Sequence, residues 1–245
     1  MAKFKVTNGV GIIPNGTTEI PVDAFKDCTA LTSIVIPLSV RKIGYAAFCN
    51  CTNLTSIVIP PSVNIIEDDV FKNCTNLQDI VIPPSVTRIS SGLFAECTAL
   101  ESIVVPPSVT TIDTYAFRKC TKLASIVIPP SVIKICSMAF MGCTGLTSIV
   151  IPSSVTDLAW GAFSECTGVE SLQFMGRVKC DLDWMVSSIL MTQVSESYYE
   201  REGKLTKILV PTGLGEFYKK QMQREGVTEG EKKAQEEYLG FILEM

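Results

Sequence analysis

The sequence predicts an α/β repeat solenoid. Short parallel strands line one face, helical turns and loops the other, and a helical cap closes the C-terminal end. The stretch CTNLTSIVIPPSV begins at Cys51, and close copies begin at Cys28, Cys74, Cys97, Cys120, Cys143 and Cys166, each 23 residues from the next. Such a period belongs to stacked supersecondary units that grow turn by turn instead of around one central core. Within each copy a segment close to Ser-Ile-Val-Ile alternates in β-branched residues, as a half-buried strand does. In all copies but the last a Pro follows; lacking an N–H, it ends the strand.

Composition limits the functions open to such an array. The 245 residues are 47% apolar and 19% charged, with net charge -4. No run of Lys or Arg supplies the basic footprint of a nucleic-acid binder. No apolar run is long enough to insert into a membrane as a helix. Met1 to Gly9 (MAKFKVTNG) lacks the apolar core of a secretory leader. A cytoplasmic location is therefore expected, or a cell-surface or secreted one if a leader has been removed.

Taken in order, residues 1–27 form an N-terminal cap and a degenerate repeat. Val10 to Phe25 aligns with the second half of a turn, and Phe4 and Val6 alternate ahead of it. Residues 28–174 follow C-T-x-L-x-S-I-V-I-P-P-S-V-x-x-I-x-x-x-A-F-x-x. Period two turns Ile34 and Ile36 inward and Ser33 and Val35 outward. Val40 and Ile43 return to the core, and Ala47, Phe48 and Cys51 reach it from the far side on a turn of helix. Stacking at about 4.8 Å makes columns of these residues. One runs through Phe25, Phe48, Phe71, Phe94, Phe117, Phe140 and Phe163, another through Ser39, Ser62, Ser85, Ser108, Ser131 and Ser154. The Ser hydroxyls are placed to satisfy turn backbone groups. Eight or nine turns would span roughly 40 Å.

Residues 175–245 break the pattern. A short helix is expected around Asp181 to Met191, then a polar stretch, SESYYEREGK. Leu205 to Pro211 restores the strand pattern as a last repeat strand. Two cap helices follow, Glu216 to Arg224 and Glu229 to Glu244.

The unit L-x-x-I-x-I-P-x-S-V-x-x-I-x-x-x-A-F-x-x-C-x-x, running from Val10 to Phe174, resembles the BspA-like (Treponema-type) leucine-rich repeat family. The segment ILVPTGLGEFYKK (Ile208 to Lys220) resembles the strand and short helix that close such arrays. The resemblance implies a right-handed leucine-rich-repeat array. It also implies a surface protein that binds host proteins or other cells, and it brings no catalytic residues.

Chemistry finds little footing. The chain has no His, which removes Ser-His-Asp and Cys-His catalysis. No Gly-rich phosphate loop follows a strand. The carboxylates Glu67-Asp68-Asp69 and Asp181 with Asp183 read as solvated loops. No paired C-x-x-C ligands exist for a metal, so no metal and no cofactor are expected. The seven periodic cysteines read as a reduced thiol column, since buried Cys behaves as a small apolar side chain. Adjacent turns would place Cα atoms within disulfide range, so bridging stays open. Cys49, Cys136 and Cys180 lie outside the column and read either as exposed, reactive thiols or as incidental variation. Asn15, Asn50, Asn53 and Asn73 stand in N-x-T sequons.

The candidate protein-binding site is the outward strand face: Ser33, Val35, Ser56, Val58, Val81, Ser102, Val104, Ser125, Val127, Ser148 and Val150. Its Val column forms an apolar stripe roughly 25 Å long, which fits an interaction surface and equally fits plain strand-forming sequence. Variable residues such as Arg41-Lys42, Asn64-Ile65, Thr114-Tyr115, Arg118-Lys119 and Trp160 are assigned to loops and the convex side. The expected function is non-enzymatic protein–protein interaction, in adhesion or host and cell-surface binding. A cytoplasmic scaffold or effector is the alternative. The partner is a protein, with no nucleic acid and no membrane insertion. Homo-oligomers could form through the sheet face or the C-terminal cap.

Overall fold

The computed structural model describes residues 4–178, 180, 185–186, 189, 191–195, 198–201, 204–222, 234 and 236–245. An antiparallel hairpin opens the chain: β1 (Lys5–Thr7) and β2 (Val10–Ile12). They turn through Asn8 and Gly9 at φ 50° and 81°, the left-handed pair that matches strand twist in a two-residue turn. From β2 the sheet runs in parallel through β4 (Ser33–Val35), β6 (Ser56–Val58) and β8 (Asp79–Val81). Pairing then thins to single bridges, Val81 with Val104 and Val104 with Val127. A further parallel block joins β12 (Ser148–Ile151), β14 (Ser171–Phe174), β17 (Lys207–Val210) and β18 (Ile242–Glu244).

Each turn carries a second strand of only two residues, which the expectation of a single sheet did not include. These are β3 (Glu19–Ile20), β5 (Lys42–Ile43) and β7 (Ile65–Ile66) in one parallel group. In the other are β9 (Arg88–Ile89), β10 (Thr111–Ile112), β11 (Lys134–Ile135) and β13 (Asp157–Leu158). The helical turn expected at Ala-Phe is replaced by a tight corner. Its N–H groups alternate in direction. Those of Asp23, Phe25 and Asp27 donate to carbonyls of Tyr45, Ala47 and Cys49 in the next turn, at 2.9, 2.7 and 2.8 Å. Those of Ala24, Lys26 and Cys28 donate back three residues. A helix would send every N–H back along its own axis; here half point along the array. Two positive-φ residues per corner, such as Asp23 with Asp27 and Ala46 with Asn50, exclude helical backbone. The molecule is therefore a β-solenoid, not an α/β array, of about seven stacked turns instead of eight or nine, as the seven buried column phenylalanines number it.

The interior is built of columns. Neighbouring Phe rings stack at centroid separations of 5.0 to 5.8 Å. Beside them each ladder thiol from Cys51 to Cys166 donates to the carbonyl of the Phe 26 residues earlier, as Cys97 does to Phe71 O at 3.0 Å. The Ser column behaves likewise at Ser39, Ser85, Ser108 and Ser154, which donate to backbone carbonyls 22 residues back. Ser62 and Ser131 hydroxyls have no partner among the described residues.

At the C-terminal end β17 pairs with β14 in register, so the intervening residues leave and re-enter the stack. Within them β15 (Met191–Ser195) and β16 (Tyr198–Arg201) form an antiparallel pair; Met191, expected to end a helix, starts the first strand, and the second lies in the expected polar stretch. Met185, Val186 and Ile189 are helical and buried; the rest of the expected helix up to Leu190 lies outside the described residues. Helix α1 spans Gly215–Met222. Its Tyr218 is buried, stacks on Phe174 at 4.6 Å, accepts the Val178 N–H and donates to Gly176 O. Ile242–Glu244, expected to be helical, is strand β18, because it pairs with the edge of β17 that would otherwise stand open. Glu244 then accepts the N–H groups of Gly213 and Gly215 at the start of α1, 3.0 and 2.7 Å away. Those donors hold its carboxyl below the usual range.

Candidate protein-interaction face

The first sheet aims every proposed site residue at solvent. Ser33, Ser56, Ser102, Ser125 and Ser148 are exposed, as are the six valines. Val35, Val58, Val81, Val104 and Val127 are 72% to 79% exposed, Val150 42%. Between them Ile34, Ile57, Ile80 and Ile103 are buried. The strand alternation sets this arrangement, and parallel pairing of Val35 with Val58, Val58 with Val81, and Val81 with Val104 and onward lines the valines up. Ile12, paired with Val35 and 52% exposed, extends the column by one turn. It stands outside the candidate residues although Ile13-Pro14 matches Ile151-Pro152 and so sets Ile12 at the Val150 position. Asp79 is the one charged residue in the Ser and Val columns.

The second sheet presents the opposite chemistry. Five of its seven outward positions carry Glu19, Lys42, Arg88, Lys134 and Asp157, which take part in ion pairs across turns, and Ile65 and Thr111 hold the other two. Lys42 bridges Glu19 at 3.1 Å and Glu67 at 2.8 Å. Arg88 reaches Asp113 at 2.6 Å and Asp68 at 3.4 Å, and Lys134 meets Asp157 at 2.8 Å. The Lys42 ammonium, helped by the Tyr45 N–H, keeps the Glu67 carboxyl below its usual range. Glu67, Asp68 and Asp69, read as solvated loop carboxylates, are thus ties between turns. Lys42 and Ile65, assigned to loops, lie in strands. The signal was present as opposite charges 23 residues apart, Glu19 with Lys42 and Lys134 with Asp157.

Between β7 and β9 this sheet breaks. Elsewhere a backbone N–H bonds the carbonyl one turn back, as Gly44 does to Ile20 and Glu67 to Ile43. At the break the Ser90 hydroxyl bonds Ile66 O instead, and a groove of about 410 Å3 opens between Asn64–Asp68 and Val86–Ser90. A second groove, of about 460 Å3, is lined by Thr156, Arg177, Phe217 and Gln221, with the Arg177 guanidinium 4.6 Å over the Phe217 ring.

Reactivity is suppressed where nucleophiles are most numerous. The periodic cysteines are thiols, unbridged. Burial pushes Cys51 and Cys97 from 9.0 up to about 12 and raises Cys74, Cys120 and Cys166 as well. Cys49 and Cys136, read as candidates for exposed thiols, are buried in the corner and second-sheet layers, and burial raises them too. Cys180 is half-buried. Asp181 and Asp183 lie outside the described residues. Among the described residues no cluster of His, Cys, Asp and Glu is placed to hold a metal ion, and no helix is long and apolar enough to cross a membrane.

A stack of short β-stranded turns whose first strand face carries a single charge in its Ser and Val columns is a repeat solenoid of the kind that typically serves as an interaction scaffold. More narrowly, the chain belongs to the BspA-type leucine-rich repeat family, whose six-copy repeat region matches residues 7–124, 88–188 and 111–224. Among solved structures it is similar to a leucine-rich repeat protein of T. pallidum, with 30% identity and TM-score 0.60 over 66% of this chain and 78% of that one. A leucine-rich repeat protein from Bacteroides ovatus shares the fold at 21% identity and TM-score 0.51, over 95% of this chain and 76% of that one. No curated protein matches the chain.

Proposed function

We propose that this chain is a non-enzymatic protein–protein interaction module, acting in adhesion or in binding host or cell-surface proteins. The observation that carries this reading is the exposed Val column, apolar side chains aligned across successive turns as on an interaction surface. The array is read as right-handed, as parallel crossovers are, and residues 175–245 as its C-terminal cap. To test the reading, labelled protein is titrated onto intact cells and onto purified surface proteins, beside a Val81→Lys, Val104→Lys variant. Saturable binding lost in the variant supports it; equal binding by both removes the sheet face from the interaction.

A cytoplasmic scaffold is the second reading, favoured by the unbridged thiol column. Trypsin treatment of intact native cells separates the two, since only a surface protein is digested.

A further inference from the structure

We infer that the occupant of the strand face is a second copy of this chain, packed face to face. The inference rests on the proposed interaction role of that face and names its partner. Among the protein partners that the proposed role allows, an irregular epitope is matched best by side chains that change from turn to turn, and a regular surface by side chains that repeat. This face repeats: position after position it offers Ser and Val. Its relief is a row of Val ridges at about 4.8 Å, and a surface with the same ridge spacing along its whole length is another copy of the same array. Two such faces interdigitate along every turn, as the sheets of a sandwich do at about 10 Å.

Charge and area agree. Like charges oppose self-association, yet the two columns carry a single charge, Asp79, while the charged side chains of the second sheet already pair across turns. Six exposed valines, five of them at 72% to 79%, together with the serines beside them can hide on the order of 1,000 Å2 over both copies. That reaches the lower limit of specific interfaces, so the contact is weak and reversible. Val81 and Val104 are the third and fourth of the six valines. A two-fold pairing centred on the stripe sets Val81 against Val81 or against Val104 of the other copy, whichever way the copies run.

Sedimentation velocity from about 1 to about 200 µM, a range that brackets such a contact, tests this. The mass of the parent chain is expected to rise from 26.7 kDa towards twice that value. Val81→Lys, Val104→Lys and Val81→Glu, Val104→Glu are each expected to stay monomeric with unchanged melting. Mixed in equal amounts, the two restore association, because lysines on one face then meet glutamates on the other. A parent chain monomeric throughout overturns the inference, as does association that the Lys variant leaves intact or failure of the mixture to associate. A monomeric parent that still binds a foreign protein through this face overturns the self-pairing while the interaction role stands. Loss of both overturns the two together.

Discussion

The two strand faces leave the same turns about ten residues apart and follow opposite rules. The first repeats Ser and Val and stands exposed along its length. The second varies from turn to turn and is spent on contacts between turns, in the series Glu19, Lys42, Glu67 and in Arg88 with Asp68 and Asp113. Sequence variation on a repeat protein is commonly taken as the mark of its binding surface. Here variation accompanies internal bracing, and uniformity accompanies the face left open.

Both faces rest on one packed interior, and breaking it tests the premise of the comparison. Phe94→Ala removes a fully buried ring stacked on Phe71 and Phe117 at 5.8 and 5.5 Å. A loss of about 3–5 kcal/mol is expected in urea unfolding; a loss under about 1 kcal/mol would show the column is not packed as described.

Next in size is the response to alkali. The thiols of Cys51 and Cys97 ionise at 9.0 when unconstrained but near 12 in the fold. Above pH 9 the unfolded chain releases these protons and the folded chain keeps them. Their contribution is complete below pH 9 and falls as pH rises through 12. Melting temperature is expected to drop steadily over that window, and Cys97→Ala is expected to flatten part of the drop. At neutral pH the same variant costs about 1–2 kcal/mol, because the Phe71 carbonyl is left without its thiol donor.

At the break in the second sheet, Ser90→Ala leaves the buried Ile66 carbonyl without the hydroxyl that replaces the usual N–H. About 1 kcal/mol is expected, measured by urea unfolding; no change would show water serving in the groove as well as the hydroxyl. Glu67→Gln reaches less far, under about 1 kcal/mol for a half-buried carboxylate still screened by solvent. Its folded carboxyl lies below the usual range, so its contribution is present at neutral pH and is lost as pH falls through that lowered value. The gap between parent and variant in melting temperature should therefore close in acid. The smallest effect belongs to the first face, where Val81→Lys with Val104→Lys should shift stability by no more than about 0.5 kcal/mol per site. Loss of cooperative unfolding there would mean that the strand faces are inverted.

The strand faces and the Phe, Cys and Ser columns are legible in the sequence because each repeats one residue type at one offset. Ile34 inward and Val35 outward follow from period two alone. The corner is illegible for a physical reason: its positive-φ position holds Asp23, Ala46, Asp69, Gly92, Tyr115, Met138 and Gly161. Tertiary stacking imposes the backbone there whatever the side chain, so no glycine pattern announces it. Strands of two residues, such as Lys42–Ile43, are too short to show alternation, and Ile43 reads only as a core residue. The hairpin at Asn8–Gly9 was legible from its turn residues, and the reading passed over it. As for the candidate site, its residues are legible, and so is Ile12, since the alignment of Ile13-Pro14 with Ile151-Pro152 sets it at the Val150 position.

The corner also governs how the molecule responds to force. Half of its bonds, like those of both sheets, run from turn to turn, and each turn of such an array is held by its neighbours. Pulled along the stack, the chain does not shear through many bonds at once. It unzips from an end, and each turn that lets go pays out 23 residues, about 80 Å of slack. A tether built this way yields stepwise, absorbing a tug in small, repeatable instalments while the remaining turns keep their faces intact.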